Sequence, residues 1–210
     1  MTRGEARFRA LWRRCGGADA GRVYAELARR YAEPHRRYHT MRHIRRCLAE
    51  FDRARPWIAE PDLVELALWC HDVIYHPGAA DNEQRSADWL RERAAGRIAA
   101  VERVATLILA TTHCADPVDP AARYTVDIDL AGLGCDRAVF RRDGAALRAE
   151  QLTAGLAPAQ CCRRERSFLA ALLARPRIFH TEFFAARYEA RARRNLTWRL
   201  AELERSSALP

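Results

Sequence analysis

Apolar residues recur every three or four positions along most of this chain, which is the periodicity of amphipathic helices. Few segments alternate apolar and polar residues as a half-buried strand does. The pattern predicts an all-α bundle, with helices near residues 8–15, 23–31, 41–55, 63–72, 81–95, 101–111, 140–156, 158–175 and 181–204. Asp62 is expected to cap the fourth of these helices, and residues 115–122, which contain two prolines, are expected to form a loop.

Length and composition fit one folded unit. The chain has 210 residues, of which 49% are hydrophobic, and it contains no internal repeat. We therefore expect a single domain over residues 1–210 that ends in an amphipathic helix at about 181–204. The arginine-rich start lacks the apolar core of an export signal, and no stretch has the length of a membrane span. These features predict a soluble, cytoplasmic protein with no membrane partner; the oligomeric state is left open.

All 36 basic residues are arginine, and the formal net charge is +9. A positive field attracts phosphates, and arginine binds them through two parallel hydrogen bonds. Most arginines of this kind nevertheless belong to solvated helix faces. The charge suits an anionic substrate and leaves nucleic-acid binding open without favouring it.

The seven cysteines form no CxxC pair and no disulfide framework. Cys47 and Cys70 fall on apolar positions of predicted helices, where a thiol behaves as a small core residue. We expect reduced thiols.

A His-Asp pair, His71-Asp72, is the strongest chemical signal. His43 precedes it by 28 residues, and Asp129 follows it by 57. Imidazole and carboxylate donors in this order are typical of a divalent-metal site with open coordination positions. The apolar helix before His71 brings the pair to a buried helix end, where the alternative is a hydrogen-bonded pair without metal.

Two further choices depend on helical geometry. His39 lies four residues before His43, so both rings project from one helix face, and one can hold metal while the other addresses the substrate. Asp127 and Asp129 share a side in a strand but not in a helix. Asp129 is preferred as the ligand, with Asp127 either orienting a ligand histidine or capping a turn.

These motifs resemble those of the HD superfamily of metal-dependent phosphohydrolases, in particular a small bacterial branch with YHxxxHI, HDxxY, NExxSA and DxDL motifs. The matching residues are 38–44, 71–75, 81–83 with 86–87, 127–130 and the tail stretch 192–196, so the resemblance covers most of the chain. It implies an all-α HD-type fold, a divalent metal held by His43, His71, Asp72 and Asp129, and phosphoester hydrolysis.

The types of ligand limit the identity of the metal only loosely. Two imidazoles with carboxylates suit Mn, Fe, Co, Ni or Zn, and Mg could occupy a second, oxygen-rich position. Manganese or another transition metal is preferred.

Hydrolysis also needs a proton donor for the leaving oxygen. His39 and Glu83 are the candidates, and Asn82 is grouped with them as a catalytic residue. Asp81 and Gln84 read as a capping box, which places Asn82 and Glu83 in the first helical turn, where backbone amides favour anions.

A second group of residues could bind substrate or a second metal. His113 follows a predicted helix, and a solvated loop histidine is the alternative for it. His76 follows the His-Asp pair, and Arg42 beside His43 could clamp phosphate. Asp127 completes this group.

The sequence thus predicts an enzyme that cleaves a phosphoester or phosphoanhydride of a small phosphorylated compound, preferably a nucleotide, by metal-activated water. One alternative is a catalytically weak protein that binds a nucleotide or nucleic acid and retains the metal pocket. Another is a cyclic-nucleotide phosphodiesterase-like enzyme, because residues 38–43 resemble the Tyr-His-Asn-x-x-His run of that class, with threonine in place of asparagine.

Overall fold

Ten α-helices and two 3₁₀ turns make up the secondary structure of residues 1–207, the part of the chain that the computed structural model describes. The helices are α1 (Arg3–Arg14), α2 (Ala20–Arg30), α3 (Met41–Ala54), α4 (Pro61–Cys70), α5 (Asn82–Ala94), α6 (Val101–Ala110), α7 (Pro120–Leu130), α8 (Arg137–Thr153), α9 (Pro158–Ala174) and α10 (Glu182–Ser207). The 3₁₀ turns are Arg55–Trp57 and Ala131–Gly134. This range contains no strand, so the predicted all-α, single-domain bundle is confirmed.

Helix α4 lies at the centre of the bundle. Its residues from Leu66 to Cys70 are all fully buried, and the helix packs against α1, α3, α6 and α7. A helix that is apolar on every face needs neighbours on every side. Trp69 alone contacts Phe8 and Tyr24, with ring centroids 5.5 and 6.3 Å apart. Each such side chain contributes about 1.5–3 kcal/mol through burial, which fixes the carboxyl end of α4 in the core.

The starts of α4 and α7 differ from the sequence-based expectation in the residue that caps the helix or in the presence of the helix itself. Helix α4 begins at Pro61, which suits the first turn because proline lacks the N–H that would be unpaired there. Asp62 is therefore not its cap and instead pairs with Arg14 at 2.9 Å. Helix α7 begins at Pro120, inside the expected loop, because the Asp119 side chain accepts a hydrogen bond from the amide of Ala122 at 2.9 Å.

The last three helices cover one side of the bundle. Helix α9 packs between α8 and α10, and α10 also lies against the 131–134 turn. A Cβ added to Gly134 would lie 2.6 Å from Cβ of Tyr188, so only glycine allows this close approach. Within the described residues, none of the helices combines the length and the apolar character needed to cross a membrane.

Candidate metal centre and cavity

Three packed helices bring the predicted metal ligands together. His43 lies in the first turn of α3, His71 caps the carboxyl end of α4, Asp72 follows directly, and Asp129 lies in the last turn of α7. Because α4 packs against both α3 and α7, burial of the apolar core also sets the positions of these side chains. We call these four residues the ligand cluster.

The ligand atoms of the cluster face one point. His71 Nε2 lies 3.0 Å from Asp72 Oδ2 and 3.5 Å from Asp129 Oδ1. His43 Nε2 lies 3.1 Å from Asp129 Oδ1, 3.5 Å from Asp72 Oδ2 and 3.3 Å from His71 Nε2. Around an ion with bonds of about 2.1 Å, neighbouring ligands are about 3.0 Å apart in an octahedron and about 3.4 Å apart in a tetrahedron. The four residues could therefore hold a metal ion.

Two hydrogen-bonding observations fit a cation at this point. His71 Nδ1 lies 3.1 Å from the carbonyl of Leu68, so this nitrogen donates and Nε2 can present its lone pair to the cluster. Asp72 Oδ2 is buried without a hydrogen-bond partner. A buried carboxylate oxygen in this state is costly, and a bound cation would satisfy it.

The charges of the cluster are strongly coupled. Burial opposes the charged form of each group, but the carboxylates Asp72 and Asp129 outweigh it and raise the pKa of His71. In the same way, the charge of His71 outweighs burial and holds the pKa of Asp72 below its ordinary value. Burial dominates at His43 and lowers its pKa. A metal ion at the cluster therefore has to displace a proton from His71, and its affinity has to fall in acid.

His113 and Cys47 lie beside the cluster. His113 Nε2 contacts Asp129 Oδ2 at 2.9 Å, and His113 has a left-handed backbone with φ of 57°. Such a conformation costs roughly 1–3 kcal/mol in a residue other than glycine and is frequent at functional sites. Cys47 Sγ lies 3.6 Å from His43 Nε2, and Cys47, His43 and Asp129 form a second group that could hold a metal. Cys47 is a buried core residue, as expected, and its position beside His43 was not foreseen.

His39 is held by a residue that the sequence analysis missed. Its Nδ1 lies 2.7 Å from Oε2 of Glu150, which is fully buried on α8. The other oxygen of Glu150 accepts hydrogen bonds from the amides of Arg37, Tyr38 and His39 at 2.6, 2.7 and 3.0 Å. The carboxylate thus fixes both the loop and the ring, and leaves Nε2 of His39 for a ligand.

The same contacts set the protonation of His39. Burial opposes its charged form, but the charge of Asp72 and the hydrogen bond with Glu150 outweigh burial and raise the pKa of His39. Burial likewise opposes the charged form of Glu150, but hydrogen bonds from His39 and the backbone lower the pKa of Glu150 to about 2. The Tyr75 ring stacks on His39 with centroids 3.9 Å apart. His39 is a rigidly held imidazole with a raised pKa beside the cluster.

Arg36 is a second residue that the sequence did not reveal. It is buried, and its guanidinium donates to the carbonyls of His39 at 3.0 Å, Asp72 at 2.8 Å and Val73 at 3.1 Å. Its Nε also pairs with Glu33 at 3.1 Å. Arg36 therefore ties the loop that carries His39 to the segment that follows α4.

Asn82 is engaged in the fold rather than free for catalysis. Its Oδ1 accepts from the amide of His76 at 2.8 Å, and its Nδ2 donates to the carbonyl of the same residue at 3.0 Å. The expected capping box is absent, since the Asp81 side chain makes no capping hydrogen bond and Gln84 donates to Asp88 at 3.0 Å. The catalytic role predicted for Asn82 is not supported by this geometry, because its amide closes the loop after the His-Asp pair.

The remaining predicted residues divide between the cavity and the surface. Glu83 lines the cavity described below, and burial raises its pKa. His76 is exposed and stacks near His35, with ring centroids 6.4 Å apart, outside the cavity lining. Arg42 is exposed on α3 and does not line the cavity either, so the predicted phosphate-binding role of Arg42 has no support from its position.

Asp127 lies apart from the cluster. Residues two positions apart in a helix are separated by about 200° around its axis, so Asp127 and Asp129 point to nearly opposite sides of α7. Asp127 Oδ1 accepts from the amide of His180 at 2.8 Å, and Oδ2 accepts from the amide and hydroxyl of Thr181, both at 2.7 Å. The candidate second-metal or substrate residue instead anchors the start of α10.

This placement predicts a stability effect without a metal effect. Asp127→Ala leaves two backbone donors without their partner, and we expect a loss of about 3 kcal/mol in the free energy of unfolding. Urea titration measures this loss of stability. Since Asp127 lies apart from the ligand cluster, added Mn²⁺ should raise the Tm of the variant by as much as it raises that of the wild type. Unchanged stability with lost metal binding would instead place Asp127 at the metal.

The cluster lies at one end of a cavity of about 480 Å³. His39, His71, Asp72, Asp129 and His113 line that end. The other walls come from the loop after the His-Asp pair, the 131–134 turn, α8 and α9. A volume of this size suits a small organic molecule.

The site therefore combines four convergent residues that could hold a metal ion, an imidazole with a raised pKa and a cavity for a small molecule. Such an arrangement could bind an anion, polarise it and donate a proton to it. In comparisons with known proteins, the chain matches no family model, no curated protein sequence and no solved structure.

Proposed function

We propose that this protein is a metal-dependent phosphohydrolase of the HD-superfamily type that acts on a small phosphorylated compound, with a nucleotide as the favoured substrate. The observation that carries the proposal is the convergence of His43, His71, Asp72 and Asp129 on one point, 3.0–3.5 Å apart, beside His39, whose pKa is raised, in a cavity. Phosphoryl transfer needs little from a protein besides positioning and neutralisation of charge, and this set of residues can supply both.

The ligand cluster and His39 have separate tasks in this proposal. A divalent ion, when bound, lowers the pKa of water and neutralises phosphoryl oxygens. His39, held through Nδ1 by Glu150, donates a proton from Nε2 to the leaving oxygen. Glu83, whose pKa is raised by burial, faces the same cavity and can hold the proton of the attacking water.

The test is a matrix of metals against substrates. The protein is stripped with EDTA, reloaded with Mn²⁺, Fe²⁺, Co²⁺, Ni²⁺, Zn²⁺ or Mg²⁺, and assayed for phosphate and pyrophosphate released from nucleoside mono-, di- and triphosphates and cyclic nucleotides. We expect turnover that depends on the metal and is abolished by EDTA. Binding of nucleotide or nucleic acid without turnover under any metal would favour the alternative, a binding protein, and steep salt dependence would indicate nucleic acid.

The proton-donor role predicts a pH dependence. A donor is active only while protonated, so activity should fall as the pH rises through the pKa of His39. Glu150→Gln removes one of the charges that raise this pKa, and we expect the alkaline limb of kcat/KM to move about 1 pH unit lower. The carboxylate of Asp72 also raises the pKa of His39, but a bound cation offsets it, which leaves Glu150 as the main control.

Glu92→Gln is the matched control, because this carboxylate is exposed on α5. Its pH profile should coincide with that of the wild type. An unmoved limb in Glu150→Gln, with metal still bound, would remove His39 from the proton-donor role.

A further inference from the structure

Charged side chains line both parts of the cavity. The cluster end carries the carboxylates Asp72, Asp129 and Glu83, and the wall formed by α8 and α9 carries Arg148 and Arg164 together with Asp143 and Glu165. Asp143 is paired with Arg46 and Arg142, and Glu165 is paired with Arg199, so both acidic groups of this wall are already compensated. Within the described residues, neither arginine forms an ion pair with a carboxylate of the cluster end. The acidic residues of the cluster end therefore do not neutralise the positive charge of Arg148 and Arg164.

Arg148 keeps most of its hydrogen-bonding capacity. Its nearest carboxylate is Glu165, at 3.4 Å, and that carboxylate already accepts two hydrogen bonds from Arg199, at 2.6 and 2.9 Å. Nε of Arg148 is buried without a partner. Two guanidiniums thus share one carboxylate, which leaves a positive charge and an unused buried donor at the cavity wall.

Arg164 is the second uncompensated charge. It is exposed on α9, and its guanidinium donates to the carbonyl of Gly78 at 3.3 Å. This contact places the charge at the cavity mouth, between α9 and the loop after the His-Asp pair. A carbonyl neutralises no charge, so Arg164 remains available to an anion.

Apolar side chains also line the cavity. Leu133, Phe140 and Leu147 come from the 131–134 turn and α8. An apolar surface favours an uncharged, preferably planar portion of a ligand. The cavity thus offers places for an anion at the metal, an apolar portion, and a second anion at Arg148 and Arg164.

We propose that Arg148 and Arg164 form a subsite for a second phosphate group of the substrate, so that the preferred substrate carries phosphates at both ends of a compact organic core. The assignment of the first phosphate to the ligand cluster rests on the proposed function. The arginine subsite itself rests on the surplus of positive charge at the α8–α9 wall, where Arg148 shares its carboxylate with Arg199 and Arg164 contacts only a carbonyl.

Binding without metal tests the subsite independently of hydrolysis. In EDTA the carboxylates Asp72 and Asp129 oppose an anion at the cluster end, but the imidazoles of His39 and His71 lie there too, so the arginine variants and not binding alone locate the inorganic phosphate. Calorimetric titration should show saturable binding to the wild type, about tenfold weaker for Arg164→Gln and for Arg148→Gln. Arg166→Gln, an exposed arginine on α9 outside the cavity lining, should bind as the wild type does. Equal affinity in all four proteins, or no saturable binding, would overturn the subsite.

Turnover then tests the substrate class. With Mn²⁺, kcat/KM for a nucleoside 3′,5′-bisphosphate should exceed that for the 5′-monophosphate by about tenfold, and Arg164→Gln should abolish the difference. Hydrolysis of both compounds at equal rates would overturn the proposed substrate class. Phosphate binding in EDTA that the arginine variants weaken, without hydrolysis under any metal, would support the subsite and contradict the proposed function, so the two failures are distinguishable.

Discussion

Asp72→Asn is expected to remove metal binding and activity together while the protein stays folded. Asp72 Oδ2 lies 3.0 Å from Nε2 of His71 and 3.5 Å from Nε2 of His43, and it has no hydrogen-bond partner that would hold it in another role. The variant keeps the shape of the side chain but loses its charge. Since a neutral amide is a poor ligand for a transition metal, we expect affinity to fall more than about 100-fold, beyond the effect of losing an outer-shell contact.

Thermal unfolding with and without metal measures this loss. Metal at 100 times its Kd stabilises the native state by about 2.7 kcal/mol, which corresponds to a Tm rise of about 5–10 °C for a domain of this size. We expect that rise in the wild type and in Asp81→Asn, whose exposed side chain lies in the loop before α5, and no rise in Asp72→Asn. Full activity and an undiminished Tm rise in Asp72→Asn would contradict the metal assignment.

His39→Ala is expected to retain metal binding and to lose turnover, whereas Asp72→Asn loses both. His39 is bound by Glu150 and stacked by Tyr75, and it contributes no ligand atom to the metal-binding groups. Loss of a proton donor typically lowers kcat by about 10²- to 10⁴-fold. The rise in Tm with Mn²⁺ should match that of the wild type.

His39→Ala also distinguishes a proton donor from a ligand. Substrates with a more acidic leaving group need less help from a donor, so their rates should fall less in the variant. Loss of the Tm rise in His39→Ala would show that His39 belongs to the metal site, and a uniform loss for all leaving groups would point to binding rather than proton transfer.

The helices and the clustering of the candidate metal ligands were predictable from the sequence because each leaves a local signal. Apolar periodicity located most of the helices, and the imidazoles and carboxylates of His43, His71, Asp72 and Asp129 do lie together. The start of α7 was missed because the two prolines of residues 115–122 suggested a loop, although Asp119-Pro120 is also a good helix start.

The supporting residues left no comparable signal. Glu150 lies 111 residues from His39 in the chain and resembles any glutamate of an amphipathic helix. Arg36 is one of 36 basic residues, all arginine, in a segment without periodicity, and only the tertiary structure shows that it is buried. The contacts of the Asn82 amide with His76 left no signal for a related reason, since the loop that engages this amide is set by tertiary contacts.

The buried guanidinium of Arg36 couples folding to ligand capture. It ties the His39 loop to the end of α4, while the ligand atoms come from α3, α4 and α7. In a chain that has lost these contacts, the ligands are far apart in sequence and cannot close around one ion. We therefore expect the stoichiometry of metal binding to report on native packing, so that a titration with the metal ion would count the correctly folded molecules in a preparation.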